Sequence, residues 1–326
     1  MIAVPLKTGE IAGHRFADGN IMWKQSLAAE QSLAADDDRV YVAAVEAIHA
    51  LDAKSGTVAW RTALGGAPTA PPLAHGGWVI AGASGEILAL RASDGAVIWR
   101  QPVGAVKFRP ALDGDLLVIP IAEGSILAVD VRDGKELWRA VLGSEPGEPL
   151  AIGGRIFVGT ANKLLHRLNA ANGRAYPVST VGAEPRGRAA ADDRNVYFAA
   201  MDNVVRAIDR GSGALRWKKG LTYRPNAGPV VLGSYVVVPG DVEALAVFDA
   251  RTGTPVSSIA FSARRLATLP VFGQQDKLFA LGITGELDEK WAVTLLEPSG
   301  VPAIAIEPLT TLPGEMVWMP QLPPPS

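Results

Sequence analysis

Ala50-Leu51-Asp52-Ala53-Lys54-Ser55-Gly56-Thr57-Val58-Ala59-Trp60 sets an alanine, an acid, a glycine and a tryptophan at fixed spacing, Ala-x-Asp-x-x-x-Gly-x-x-x-Trp. The pattern is complete again at Ala128–Trp138 and Ala207–Trp217, and returns at Ala89–Trp99 with Arg91 in place of the acid. Followed by glycine alone, it runs Gly19, Gly56, Gly95, Gly134, Gly173, Gly213, Gly253 and Gly300, in steps of 37, 39, 39, 39, 40, 40 and 47 residues. A period of about 40 with strand-like flanks is the mark of propeller blades of four strands each. The expected fold is all-β: an eight-bladed propeller of four-stranded antiparallel blades.

Residues 70–104 show one unit. Pro72-Leu73-Ala74 reads as a short strand, His75-Gly76-Gly77 as a turn and Trp78–Ala83 as a second strand. Ser84-Gly85 turns into Ile87–Arg91, and Ser93-Asp94-Gly95 turns into Val97–Gln101. Glycine, Asp, Asn and Ser at such turns supply positive φ or local hydrogen bonds. We name the strands A to D from hub to rim. B strands such as Val79-Ile80-Ala81 and Ile156-Phe157-Val158 are apolar throughout, as expected where both faces are covered.

The N-terminus supplies strands B, C and D of a blade (Ile2–Leu6, Ile11–Phe16, Ile21–Gln25) without a strand A, and Met316-Val317-Trp318-Met319 follows the last D strand. The expectation is that this C-terminal segment closes the ring as the missing strand, removing open sheet edges. Residues 1–322 then form one domain and 323–326 a proline-rich tail.

The motif tryptophans, Trp23, Trp60, Trp99, Trp138 and Trp217, are read as structural: a flat ring fills the wedge between splayed blades, and glycine lets the backbone approach it. The fifth, seventh and eighth units lack the ring, with Pro177 after Tyr176, Ser257 and Ile304 in its place, so those interfaces are expected to be looser.

This pattern resembles the tryptophan-docking motif of PQQ-type repeat propellers, over nearly the whole chain. The resemblance implies one of two branches. Quinoprotein dehydrogenases carry the quinone and calcium in the hub and are much longer, with insertions and often a pair of adjacent cysteines. The BamB family, outer-membrane protein assembly factors, uses the bare propeller as a non-enzymatic envelope scaffold. With short linkers and no cysteine, this chain is similar to the second. The resemblance therefore implies no cofactor, a protein partner such as an outer-membrane assembly component, a monomer, and a periplasmic or outer-membrane-associated location.

Composition is compatible with this. Hydrophobic residues make up 48% but occur in short runs, which excludes a membrane-spanning helix. The 31 basic and 33 acidic residues nearly balance, which disfavours nucleic acid as a partner. Met1–Glu10 has no basic segment followed by an apolar one, so no secretory leader is read there. A cytoplasmic protein or one shorn of its leader fits, and the start inside a blade favours the latter.

A search for chemistry returns little. His14, His49, His75 and His166 show no metal-ligand spacing. Gly143-Ser144-Glu145-Pro146-Gly147 has the wrong order for a nucleophile elbow, and there is no phosphate loop. Asp36-Asp37-Asp38 aligns with the A–B turns of other units and reads as a solvated turn.

Charge placed on the repeat is more informative. D–A loops border the mouth of the central channel, and they carry Lys107 and Arg109, Arg186 and Arg188, Tyr223 beside Arg224, and Arg264 with Arg265. B–C turns share that face and are acidic: Glu46, Glu86, Glu123, Asp202, Asp241 with Glu243, and Glu286. A basic inner ring inside an acidic outer one is expected to orient a charged partner or hold an anion. The alternative is wet loops whose charges pair with one another. Three function classes follow: a protein-interaction scaffold, a ligand-sensing propeller from a multidomain protein, and a quinone-dependent oxidoreductase.

Overall fold

A computed structural model describes residues 1–5, 9–15, 21–240 and 244–260. Further on it describes the strands Arg265–Leu266, Val271–Phe272, Leu278–Thr284, Lys290–Leu296, Pro302–Ala305 and Leu309–Thr310. Among these residues the chain is all strand and turn, gathered into eight antiparallel sheets. Ile2–Pro5, Glu10–His14 and Ile21–Ser26 form a three-stranded first sheet. Six four-stranded sheets follow, and the strands from Arg265 onwards form the eighth. Residues 316–319, expected to supply the strand that closes the first sheet, lie outside the described residues, as does the tail at 323–326.

In the second blade Ala34–Ala35, Arg39–Ala44, Ala47–Asp52 and Val58–Ala63 are strands A to D. Burial grades outwards. Val40–Ala44 of strand B is buried throughout, whereas Val58–Ala63 of strand D has no buried residue. Strand B is covered by blades on both sides, so every position must be apolar. Strand D is the rim. Leu137 and Val141 of the fourth blade's rim strand are likewise exposed.

Register explains the motif's alanine. Ala50 lies directly across from Trp60, Ala89 from Trp99, Ala128 from Trp138 and Ala207 from Trp217, with a β-bulge at the next step each time. Cross-strand neighbours share one face of the sheet, so a small residue opposite leaves room for the indole. In the first blade Gly13 takes this place, and a Cβ there would stand 2.2 Å from the Trp23 ring.

The motif's acid and glycine build the C–D turn. The Asp52 carboxylate accepts the backbone N–H groups of Lys54 and Ser55, and the Gly56 N–H donates to the Asp52 carbonyl at 2.8 Å. Gly56 sits at φ 72°, where an L side chain is strained. Its second constraint comes from outside: a Cβ would stand 2.4 Å from the ring of Trp23, in the preceding blade.

Each tryptophan thus docks forward. The Trp23 indole N–H donates to the Ala53 carbonyl at 2.9 Å, and Trp60 to Ala92 at 2.9 Å. Trp99 donates to Val131 at 2.6 Å, Trp138 to Ala170 at 2.8 Å and Trp217 to Ala250 at 2.9 Å. Every acceptor follows the residue at the motif's acid position in the next blade. One side chain therefore fills the wedge, covers a turn glycine and caps a turn carbonyl, leaving its own donor satisfied.

The fifth blade breaks this pattern, yet its interface is filled. Arg167 stands where the motif has alanine, and Pro177 where it has tryptophan. The Arg167 guanidinium lies against Gly213 of the sixth blade, the place an indole takes elsewhere, and its Cζ is 4.7 Å from the centre of the Tyr176 ring. The expectation of a loose fifth interface is corrected: exchanging small and large residues across the C–D pair restores the volume. What changes is polarity. The seventh blade's Ser257 side chain and the eighth blade's motif glycine, Gly300, lie outside the description.

Candidate channel mouth and its relatives

Backbone pairing shows which turns share a face. The Leu64 N–H donates to the Glu46 carbonyl, Val103 to Gly85, Leu142 to Gly124, Val181 to Lys163 and Leu221 to Asn203. D–A loops and B–C turns are therefore laced together around the mouth, and A–B and C–D turns occupy the opposite face.

The mouth's cations are held to different degrees. Arg109 is committed: its Nε donates to the Pro72 carbonyl at 3.0 Å and its Nη2 to Leu33 at 3.1 Å, tying its loop back to the two preceding blades. Arg188 stands on the hub strand Pro185–Ala191, accessible to solvent but surrounded by the protein's mass. Both guanidinia are held below their usual pKa, chiefly by desolvation, while Glu148 works against the shift and Arg109 adds to it at Arg188. The hub thus brings Arg109, Glu148 and Arg188 within electrostatic reach, a grouping that the spacing of the sequence did not announce.

Arg186 donates to the Asn226 carbonyl at 3.3 Å and is otherwise exposed, as is Arg224. A bulge follows Arg186 in its strand, and Gly187 at φ 65° lets the chain pass close to Gly228 of the next loop. Lys107 forms a 2.9 Å ion pair with Glu145 of the adjoining D–A loop, so its charge is partly answered within the inner ring. Tyr223 does not line the mouth. It is 8% exposed, donates to Val238 at 2.6 Å and accepts from the Ala246 N–H at 2.9 Å, and burial pushes its phenol up to about 12. The Arg264 position and the Arg265 side chain lie outside the described residues.

The acidic turns are partly spent as well. Asp202 holds Arg206 through both carboxylate oxygens, and Glu86 pairs with Arg100 at 3.4 Å. Glu46 and Glu123 are exposed, whereas Asp241, Glu243 and Glu286 lie outside the description. Elsewhere, Asp36 accepts the N–H groups of Asp38 and Arg39 and the Tyr41 hydroxyl, an ordinary turn-capping role. His166 is buried and His49 half-buried on C strands, and desolvation holds both below the usual histidine pKa. No helix among the described residues is long and apolar enough to cross a membrane.

Comparison with known proteins places this geometry. The crystal structure of BamB from Moraxella catarrhalis superposes with a TM-score of 0.72 at 23% identity, covering 90% of each chain. The computationally designed Ika8 protein matches at 0.71 with 15% identity, covering 89% of this chain and 90% of that one. A quinohemoprotein alcohol dehydrogenase from Pseudomonas putida HK5 matches at 0.64 with 14% identity, covering 85% of this chain and 67% of its own. At these identities the likenesses speak for the fold. No curated protein matches in sequence. The family model described as outer membrane protein assembly factor BamB matches residues 7–203 and 201–287, most of the length. The chain therefore belongs to the BamB family of PQQ-like β-propellers.

Proposed function

We propose that this protein is a non-catalytic scaffold of the bacterial envelope that holds a partner of outer-membrane protein assembly, as the family's description suggests. The observation that carries the reading is the family match over residues 7–287 of a propeller with short linkers between blades. A rigid hub presenting short loops suits recognition better than chemistry. The partner surface we assign is the channel mouth. There Arg186, Arg188 and Arg224 offer cations that are not tied into ion pairs with described residues, while Lys107 and Arg109 brace the loops. Such a surface governs encounter rate and orientation more than raw affinity. The reading implies a periplasmic or outer-membrane-associated location.

The test is capture of partners from a detergent-solubilised envelope extract by the tagged protein and by an Arg186→Glu/Arg224→Glu form. Recovery of an outer-membrane assembly component by the native form alone is the expected result. Equal recovery by both forms overturns the assigned face, and recovery of none overturns the scaffold reading. The fold shared with the quinohemoprotein dehydrogenase motivates one control, addition of pyrroloquinoline quinone with calcium. Dye reduction there would favour an oxidoreductase instead.

A further inference from the structure

On the face opposite the mouth, the turns of the fifth, sixth and seventh blades enclose a groove of about 590 Å³. Gly153, Asp193 and Arg194 come from A–B turns, and Arg210, Gly211 and Arg251 from C–D turns. Arg155 and Arg216 reach in from neighbouring strands, so five guanidinia face two carboxylates, those of Asp193 and Asp209.

Two of the five are already used. Arg216 pairs with Asp209 at 2.5 Å, and Arg210 donates to the Asp192 carbonyl at 3.1 Å while lying against Gly153. Three are not. Arg194 has only a 3.7 Å approach to Asp193, both highly exposed, and the Arg251 guanidinium has no hydrogen bond or ion pair among the described residues. Arg155 rests over Tyr176 at 5.6 Å, with its Nε buried and without a hydrogen-bond partner.

Arg167, whose Cζ is 4.7 Å from the centre of the same ring, stands nearby. It is 7% exposed and its buried Nε also has no partner. A buried guanidinium left incompletely bonded is costly, as is the convergence of like charges. Buried charges in proteins are as a rule paired, and an anion can supply the missing partner. Guanidinium forks match the oxygens of a phosphate bidentately, and several forks are best satisfied by a dianion with three or more acceptor oxygens. The groove also has room beyond a bare anion, within the usual range for small-ligand sites of roughly 300–1,000 Å³.

We propose that this groove is a binding site for a phosphate monoester or pyrophosphate group, held by Arg155, Arg194 and Arg251. It lies on the opposite face from the partner surface proposed above and stands without it. The phosphate can be a soluble metabolite's or a lipid headgroup's, and the two sources are separable.

The probes are pyrophosphate, followed by calorimetry and amide chemical shifts, and vesicles with or without phosphatidic acid. Pyrophosphate is expected to shift amides of residues 193–195, 209–211 and 251. Arg251→Glu and Arg194→Glu, both on exposed turns, are expected to weaken binding at least tenfold, and Lys54→Glu, on an exposed turn of the second blade, to leave it unchanged. Binding to free pyrophosphate marks a soluble ligand, and binding only to phosphatidic acid vesicles marks a headgroup. Either outcome supports the site if both groove variants lose it. Failure of both probes overturns the proposal, as does binding indifferent to the groove variants. Preference for a poly-glutamate peptide over pyrophosphate would also sink it.

Discussion

The interface between the fourth and fifth blades and the one between the fifth and sixth solve one packing problem with opposite chemistry. In the former the Trp138 ring lies on Gly173, and its single donor is satisfied by Ala170 at 2.8 Å. In the latter Arg167 lies on Gly213 beside Tyr176, and its Nε is left without a partner. Volume alone is enough to dock one blade on the next. A donor inventory that can be fully satisfied is what makes the docking dry and self-sufficient, and the Arg167 interface lacks it.

Truncation should show the difference most strongly. Trp138→Ala empties the wedge and is expected to cost about 3–5 kcal/mol in denaturant unfolding. A loss under 1 kcal/mol would mean that the ring is not a principal tie. Next come the glycines. Gly95→Ala puts a Cβ 2.4 Å from the rigid Trp60 ring at φ 73°, and about 2–4 kcal/mol of destabilisation is expected. Gly213→Ala meets the mobile end of Arg167 instead, which can swing aside, so about 1 kcal/mol of backbone strain should remain. Equal costs at the two sites would erase the distinction drawn here.

Replacing the buried cation should be benign or better. Arg167→Met keeps the length, removes the unsatisfied donor and is expected to leave stability unchanged or raise it by about 1–2 kcal/mol. A marked drop would show that Arg167 is structurally required rather than tolerated.

Acid should separate the turns more gently. The N–H groups of Ser55 and Thr252 hold the carboxyls of Asp52 and Asp249 below the usual range, and the Arg132 guanidinium holds Asp130 at about 2. Folded values below the ordinary 3.8 mean that this stabilisation is present above that pH and is lost as pH falls through the folded values, about 2 for Asp130. The fifth blade carries Asn169 at the same place, accepting the Ala171 N–H at 2.9 Å, and does not titrate. Hydrogen exchange at pH 2.5 should therefore loosen the turns at Gly56, Gly134 and Gly253 while sparing Gly173. The smallest effect is expected at the mouth: Lys107→Ala should change stability by less than about 1 kcal/mol, since its pair with Glu145 is largely solvated.

Much of this was written in the repeat. Glycine spacing counts the blades because Gly56, Gly95, Gly134, Gly173 and Gly253 are each held by two demands at once, a left-handed turn and a neighbour's ring. Tryptophan marks the wedge for the same reason. Arg167 is legible only in retrospect, as the large residue at the motif's alanine position in the unit that has Pro177 for tryptophan. The groove was not legible, because Arg155, Arg194 and Arg251 belong to three units and meet only through the stacking of blades. At the mouth, loop phase set Lys107, Arg109, Arg186, Arg188 and Arg224 beside the B–C turns but could not tell the braced Arg109 or the buried Tyr223 from the accessible Arg188.

The forward direction of the indole bonds has a consequence for synthesis. Each tryptophan's acceptor lies 30 to 33 residues downstream. A chain emerging at roughly 5–20 residues per second completes a blade's rim seconds before the seat for its ring exists. Each unit that carries the motif tryptophan must wait, half-latched, for its successor, and a pause placed just after that tryptophan's codon would lengthen the time the ring spends without a home.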